Sequence, residues 1–72
     1  MTELVIKVVL LDSTKRVYNS WNFLDDLELA KDIKVLNCEN NKLISLPNSL
    51  GNCTNLEILY CYYNNFTSRF TW

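Results

Sequence analysis

One constant offset of 23 residues organises the second half of the chain. Leu56, Leu59, Cys61, Asn64 and Phe66 follow Ile33, Leu36, Cys38, Asn41 and Leu43 at that distance. Both segments read aliphatic-x-x-Leu-x-Cys-x-x-Asn-x-apolar. Such a repetition constrains the fold more than composition does, because one short copy cannot bury its own apolar side and must stack on the next. The offset also runs backward: Phe23, Leu27, Ala30 and Ile33 precede Leu46, Leu50, Cys53 and Leu56 by the same 23 residues. The regularity therefore starts ahead of the first full copy.

The spacing within a copy has a physical reading. Leu36 and Cys38 lie two apart, as the inward side of a strand requires, and Val35 and Asn37 between them point the other way. The chain must then turn without a hairpin partner. Asparagine suits that turn because its amide can bond backbone groups left unpaired. Asn41 and Asn64 are expected as largely buried steps of one ladder. Leu43, Leu46 and Leu50 then face inward along an irregular arc or short helix, with Pro47 and Gly51 setting the corner and the return. Parallel strands near 35–38 and 58–61 follow, about 4.8 Å apart.

These residues resemble the leucine-rich repeat family, whose L-x-x-L-x-L-x-x-N-x-L consensus and period of about 20–29 residues they match with cysteine in the third apolar slot. The resemblance covers residues 23–66 and is strongest from 33. It implies an α/β leucine-rich repeat solenoid with parallel strands on a concave side, where a protein partner would bind without catalysis. Cysteine in that slot, followed by Tyr62, Tyr63, Asn64 and Asn65, is also similar to repeats encoded by some large DNA viruses of protists.

Residues 1–22 depart from the repeat: the offset asks for asparagine at position 18 and meets Tyr18. The β-branched and aromatic runs on either side of Asp12-Ser13-Thr14-Lys15 predict a β-hairpin over 3–11 and 16–21. Asn22 is expected to cap a helix with Asp25 and Asp26 in its first turn, Lys31 near its end, and Phe23, Leu24, Leu27 and Ala30 as the buried stripe. This ββα opening is similar to the start of a ubiquitin-like fold, but the later strands of such a fold are missing. Residues 1–32 are thus expected as a cap, 33–55 as a full repeat and 56–72 as a partial one.

Catalytic chemistry finds little to stand on. The chain has no histidine and a single glycine, so the commonest general base and metal ligand and any glycine-rich phosphate loop are missing. Asp25 and Asp26 are neighbours on a helix and point apart. Cys38, Cys53 and Cys61, spaced 15 and 8 residues apart, match no zinc signature. They are expected as buried free thiols packing as small hydrophobes, with an inter-strand disulfide or a metal as alternatives. No enzyme activity, cofactor or metal is expected.

Seven basic against eight acidic residues, with no run of either sign, provide no footprint for nucleic acid or an anionic membrane. The apolar run Leu4–Leu11 is broken by Lys7 and is too short to span a membrane. With no signal peptide, an intracellular, cytoplasmic chain with reduced thiols is expected, and the glycan-acceptor triplets at Asn52 and Asn65 are read as accidental. What remains is surface. Val35, Asn37 and Glu39 in the first copy, and Ile58, Tyr60 and Tyr62, with Tyr63, in the second, point outward as a candidate protein-binding face of the aromatic type that dominates interfaces. Arrays of this kind need about three units to bury a continuous core, so a homo-oligomer joined at the C-terminal end through Phe66, Phe70 and Trp72 is also expected. The alternatives are a self-assembling structural unit and a substrate-recruiting piece of a longer enzyme.

Overall fold

The computed structural model describes residues 4–65. Its centre is a four-stranded sheet in the order β2-β1-β3-β4. Strand β1 is Ile6–Leu10, β2 Lys15–Tyr18, β3 Ile33–Asn37 and β4 Ile58–Tyr60.

The 23-residue offset becomes a register. β3 and β4 run parallel with Val35 beside Ile58, Leu36 beside Leu59 and Asn37 beside Tyr60. The pairing continues past the strand ends, where Cys38 N–H donates to the Tyr60 carbonyl (2.8 Å) and Asn40 N–H to the Tyr62 carbonyl (3.2 Å). The two predicted parallel segments are therefore neighbours in one sheet.

The N-terminal hairpin covers the other side of β3. β1 pairs antiparallel with β2 (Ile6 with Tyr18, Val8 with Arg16) and antiparallel with β3 (Val8 with Leu36, Lys7 with Asn37), with a bulge between Val9 and Leu10. Ile6, Val8, Leu10, Ile33, Leu36 and Cys38 face inward and are buried with Leu24, Ala30, Leu50 and Cys53. Cap and repeat therefore share one sheet and one core.

The second strand ends at Tyr18, before the expected limit of 21. Ser20 accepts a hydrogen bond from the Asn22 N–H (3.4 Å) and opens a 3₁₀ turn over Trp21–Asp25. This turn brings Phe23 onto Tyr18, with ring centroids 4.1 Å apart and 9° between planes, and Trp21 to 6.3 Å from Phe23. Stacked rings at this spacing close the edge of the core.

The expected helix from Asn22 is likewise two elements. Asp26 is extended (φ −84°, ψ 101°), and its carboxylate accepts from Glu28 N–H (3.1 Å) and Leu29 N–H (3.3 Å), capping α1 over Leu27–Lys31. The break resets the helical phase. Leu24 and Ala30 stay buried and Phe23 is half-buried, but Leu27 is exposed and Leu29 packs toward the core in its place.

The arc after β3 is irregular except for a 3₁₀ turn over Asn48–Asn52 that buries Leu50. Leu43 and Leu46 are half-buried against the core. Gly51 has no positive φ, and a Cβ there would meet nothing within 4 Å, so the return does not require glycine. Left-handed backbone occurs instead at Ser13, Asn40 and Tyr63, the last two at the same repeat position with φ 59° each.

Both asparagines occupy their ladder steps. Asn41 is 5% exposed; its Oδ1 accepts from Val5 N–H (2.9 Å), and its Nδ2 donates to the carbonyls of Val5 (3.0 Å), Cys38 (2.8 Å) and Glu39 (3.3 Å). Val5 lies two residues before Lys7, the last rung of the β1–β3 pairing, and there the Asn41 amide substitutes for a backbone partner. Asn64 repeats the arrangement one copy later, accepting from Leu43 N–H (3.2 Å) and donating to the carbonyls of Cys38 (3.0 Å), Cys61 (3.1 Å) and Tyr62 (3.2 Å). It is half-buried rather than largely buried, because within the described residues no further copy covers it. Two other asparagines fasten the side away from the sheet: Asn52 Nδ2 donates to Leu24 O (3.1 Å) and Asn55 Nδ2 to Lys31 O at the end of α1 (2.8 Å).

Candidate functional site

Strand pairing decides which side chains share the face turned away from the core, since directly paired residues point the same way and alternate along each strand. One row across the sheet is Lys15, Val9, Val35 and Ile58; the next is Val17, Lys7, Asn37 and Tyr60. Past the strand ends, Glu39 and Tyr62 continue the two repeat strands.

The structure thus brings Val35, Asn37, Ile58 and Tyr60 into one surface, with Glu39 and Tyr62 beyond their strands. Val35, Asn37, Glu39 and Tyr60 are half-buried, while Ile58 is 42% and Tyr62 61% exposed. Tyr60 and Tyr62 lie with ring centroids 6.3 Å apart, tilted by 48°. Asn37 is fixed by its own side chain, whose Oδ1 accepts from Glu39 N–H (2.9 Å). Aromatic and aliphatic groups held on regular backbone lose little freedom when a ligand covers them.

Tyr63 stands apart from this row. It is 79% exposed and occupies the left-handed slot that Asn40 fills one copy earlier. Asparagine adopts that backbone readily, whereas a tyrosine there is strained.

Sequence reasoning missed the cap's contribution to the face. Lys7, Val9, Lys15 and Val17 occupy the same rows as the predicted residues. The signal was the alternation of Ile6, Lys7 and Val8, which places a charge between two buried residues. It could not show that β1 would dock beside β3.

Behind the face the cysteines belong to the interior. Cys38 and Cys53 are buried, Cys61 is half-buried, and all three are free. Burial, and secondarily the adjacent Cys61, push the Cys38 thiol up to about 11, and burial raises Cys53 as well. A thiol so shifted is protonated at neutral pH and a poor nucleophile. The Cys38 Sγ–H donates to the Tyr60 carbonyl at 3.5 Å, tying the two repeats together.

Among the described residues, no group of three or more His, Cys, Asp or Glu side chains could hold a metal ion, and no helix is long and apolar enough to cross a membrane. Phe66, Phe70 and Trp72, expected at an oligomer contact, lie outside the described residues.

Searches of curated proteins and of solved structures return no match to the chain. A family profile described as Leucine Rich repeats (2 copies) matches residues 31–71, more than half of the chain and the part that carries β3, both ladder asparagines and β4. The profile spans both copies of the 23-residue pattern, and the parallel register shows why they recur: the chain belongs to the leucine-rich repeat family.

Proposed function

We propose that the chain is a non-catalytic protein-binding module that takes a polypeptide partner on the open face of its sheet. Leucine-rich repeat domains generally mediate protein–protein interaction, which supplies the mode. The observation that carries the choice of surface is the alignment of Val35, Ile58, Tyr60 and Tyr62 on one side of paired strands, with Ile58 and Tyr62 open to solvent. Exposed apolar and aromatic groups gathered on an ordered surface mark interaction sites. The three free cysteines, two of them buried, suit an intracellular, reducing setting.

The test is selection of a displayed library of random twelve-residue peptides on the immobilised full chain. Peptides that use the face lose binding to Ile58→Asp and Tyr62→Ala and keep it with Ile44→Ser, a change at an exposed residue outside the paired strands. Binding that survives the first two substitutions and fails with the third contradicts the reading.

A second reading rests on a different observation. Leu36, Cys38 and Asn41 are buried, whereas Leu59, Cys61 and Asn64 one copy later are only half-buried. That gradient favours homo-oligomerisation through the C-terminal side of the sheet. Sedimentation at micromolar concentration decides it: a species heavier than 8.5 kDa supports assembly, and a clean monomer rules it out.

A further inference from the structure

The open face is not uniform. Its β4 half carries Ile58 and Tyr60, and its hairpin half carries Lys7 and Lys15. Lys7 sits in an interior strand, between Val17 on β2 and Asn37 on β3, so a ligand laid across the face cannot avoid it. Lys15 is its diagonal neighbour across the β1–β2 pair, at about 7–8 Å by the usual spacing. Among the described residues neither lysine has an ion-pair partner; the one pair is Lys34 with Glu57 at 4.0 Å, between 48% and 61% exposed side chains. No carboxylate stands at a paired outward position of the sheet; Glu39, two residues past Asn37, is the diagonal neighbour of Lys7 on the β3 side and makes no ion pair with it.

Two like charges at that separation repel weakly, and an anion placed between them relieves the repulsion. Resting on the protein-binding reading, we propose that the open face selects a polypeptide segment that is acidic as well as apolar. A carboxylate is seated by Lys7 and Lys15, and an aliphatic or aromatic anchor by Ile58, Tyr60 and Tyr62. Lys7 and Tyr60 are two strands apart, which sets the separation of carboxylate and anchor at about 10 Å. A peptide carboxylate suits the site better than a nucleic acid does, because only two cations converge and the whole chain is slightly acidic, with a net charge of −1. A polyanion needs a broader basic surface.

The peptide selection on the full chain also tests this proposal. Among peptides whose binding requires Ile58 and Tyr62, Asp and Glu should be enriched over the starting library. The same peptides should bind the Lys7→Gln/Lys15→Gln double variant about 2–30-fold more weakly, the range for two solvent-accessible charge pairs. Their affinity for the unmodified chain should also fall as salt is raised. Both lysines are on the surface, and circular dichroism of the variant checks that it folds. Peptides that need Ile58 but show no acidic enrichment, or that bind the double variant equally well, overturn the charge proposal and leave the face in place. Peptides indifferent to Ile58 and Tyr62, or no binders at all, overturn both. Binding of a single-stranded oligonucleotide in preference to acidic peptides overturns the choice of partner class.

Discussion

Removing the two ladder asparagines, singly and together, should show that they act as one unit. In Asn41→Ala the Val5 N–H and carbonyl lose their side-chain partner, while the Cys38 carbonyl keeps its bond from Asn64. An orphaned buried group costs about 1–3 kcal/mol; two Val5 groups are orphaned but both sit near solvent, so a loss of about 1–3 kcal/mol is expected for the substitution. Against a total of about 4–11 kcal/mol for a domain this size, that is a large share. Asn64→Ala strands Leu43 N–H and the Cys61 carbonyl in a half-exposed setting, for about 1–2 kcal/mol. The double variant is the sharper test. Both amides donate to the same Cys38 carbonyl, at 2.8 and 3.0 Å, and only the double variant leaves it with neither. The combined loss should therefore exceed the two single losses together by about 1 kcal/mol. Urea unfolding measures this as shifts in midpoint at constant slope. Additive losses, or Asn64→Ala costing more than Asn41→Ala, would refute the shared-carbonyl reasoning.

Tyr63→Asn should stabilise the fold by about 1 kcal/mol, because it restores at φ 59° the residue type found at Asn40. For a domain of this length that is about 4–8 °C in Tm, and a lower Tm would show that the tyrosine ring packs favourably. Gly51→Ala should gain about 0.4–1 kcal/mol, since the backbone there suits any residue and space is free; destabilisation would mean that the return needs glycine after all. Alkaline pH should weaken the protein. The unfolded Cys38 thiol ionises from about pH 9 and the folded one only near 11, so the native state holds the extra proton in that window. Stability then falls as pH rises from about 9 to 11, by on the order of 1–2 kcal/mol after allowance for solvent screening. Cys38→Ala should lose this part of the slope, and an unchanged pH profile in the variant would contradict the assignment.

The repeated half of the chain was legible because each copy supplies the register for the other. A parallel return after 23 residues places Val35 beside Ile58 and Asn37 beside Tyr60, so an offset counted in sequence becomes a pairing in space. Asn41 was readable as a buried step for the same reason. The cap has no second copy to calibrate it. Its hairpin was visible in the β-branched runs, but the end of β2 depends on the stacking of Tyr18 and Phe23. The split of the expected helix depends on Asp26, which caps α1 instead of filling a first turn. Asp26 could serve as either, and the burial of Leu24 and Ala30 around it favours the break. The cationic half of the face was missed because an alternating strand shows which residues point outward and says nothing about its neighbour. Only the antiparallel docking of β1 on β3 puts Lys7 next to Asn37.

The most direct test of the central claim is an amide chemical-shift map of the uniformly labelled chain during titration with the tightest selected peptide. The protein-binding account predicts that the largest changes fall on Lys7, Val9, Val35, Asn37, Ile58, Tyr60 and Tyr62, with the turn over Asn48–Asn52 and helix α1 little affected. Largest changes at Asn48–Asn52 and α1, with the open face of the sheet silent, would contradict it.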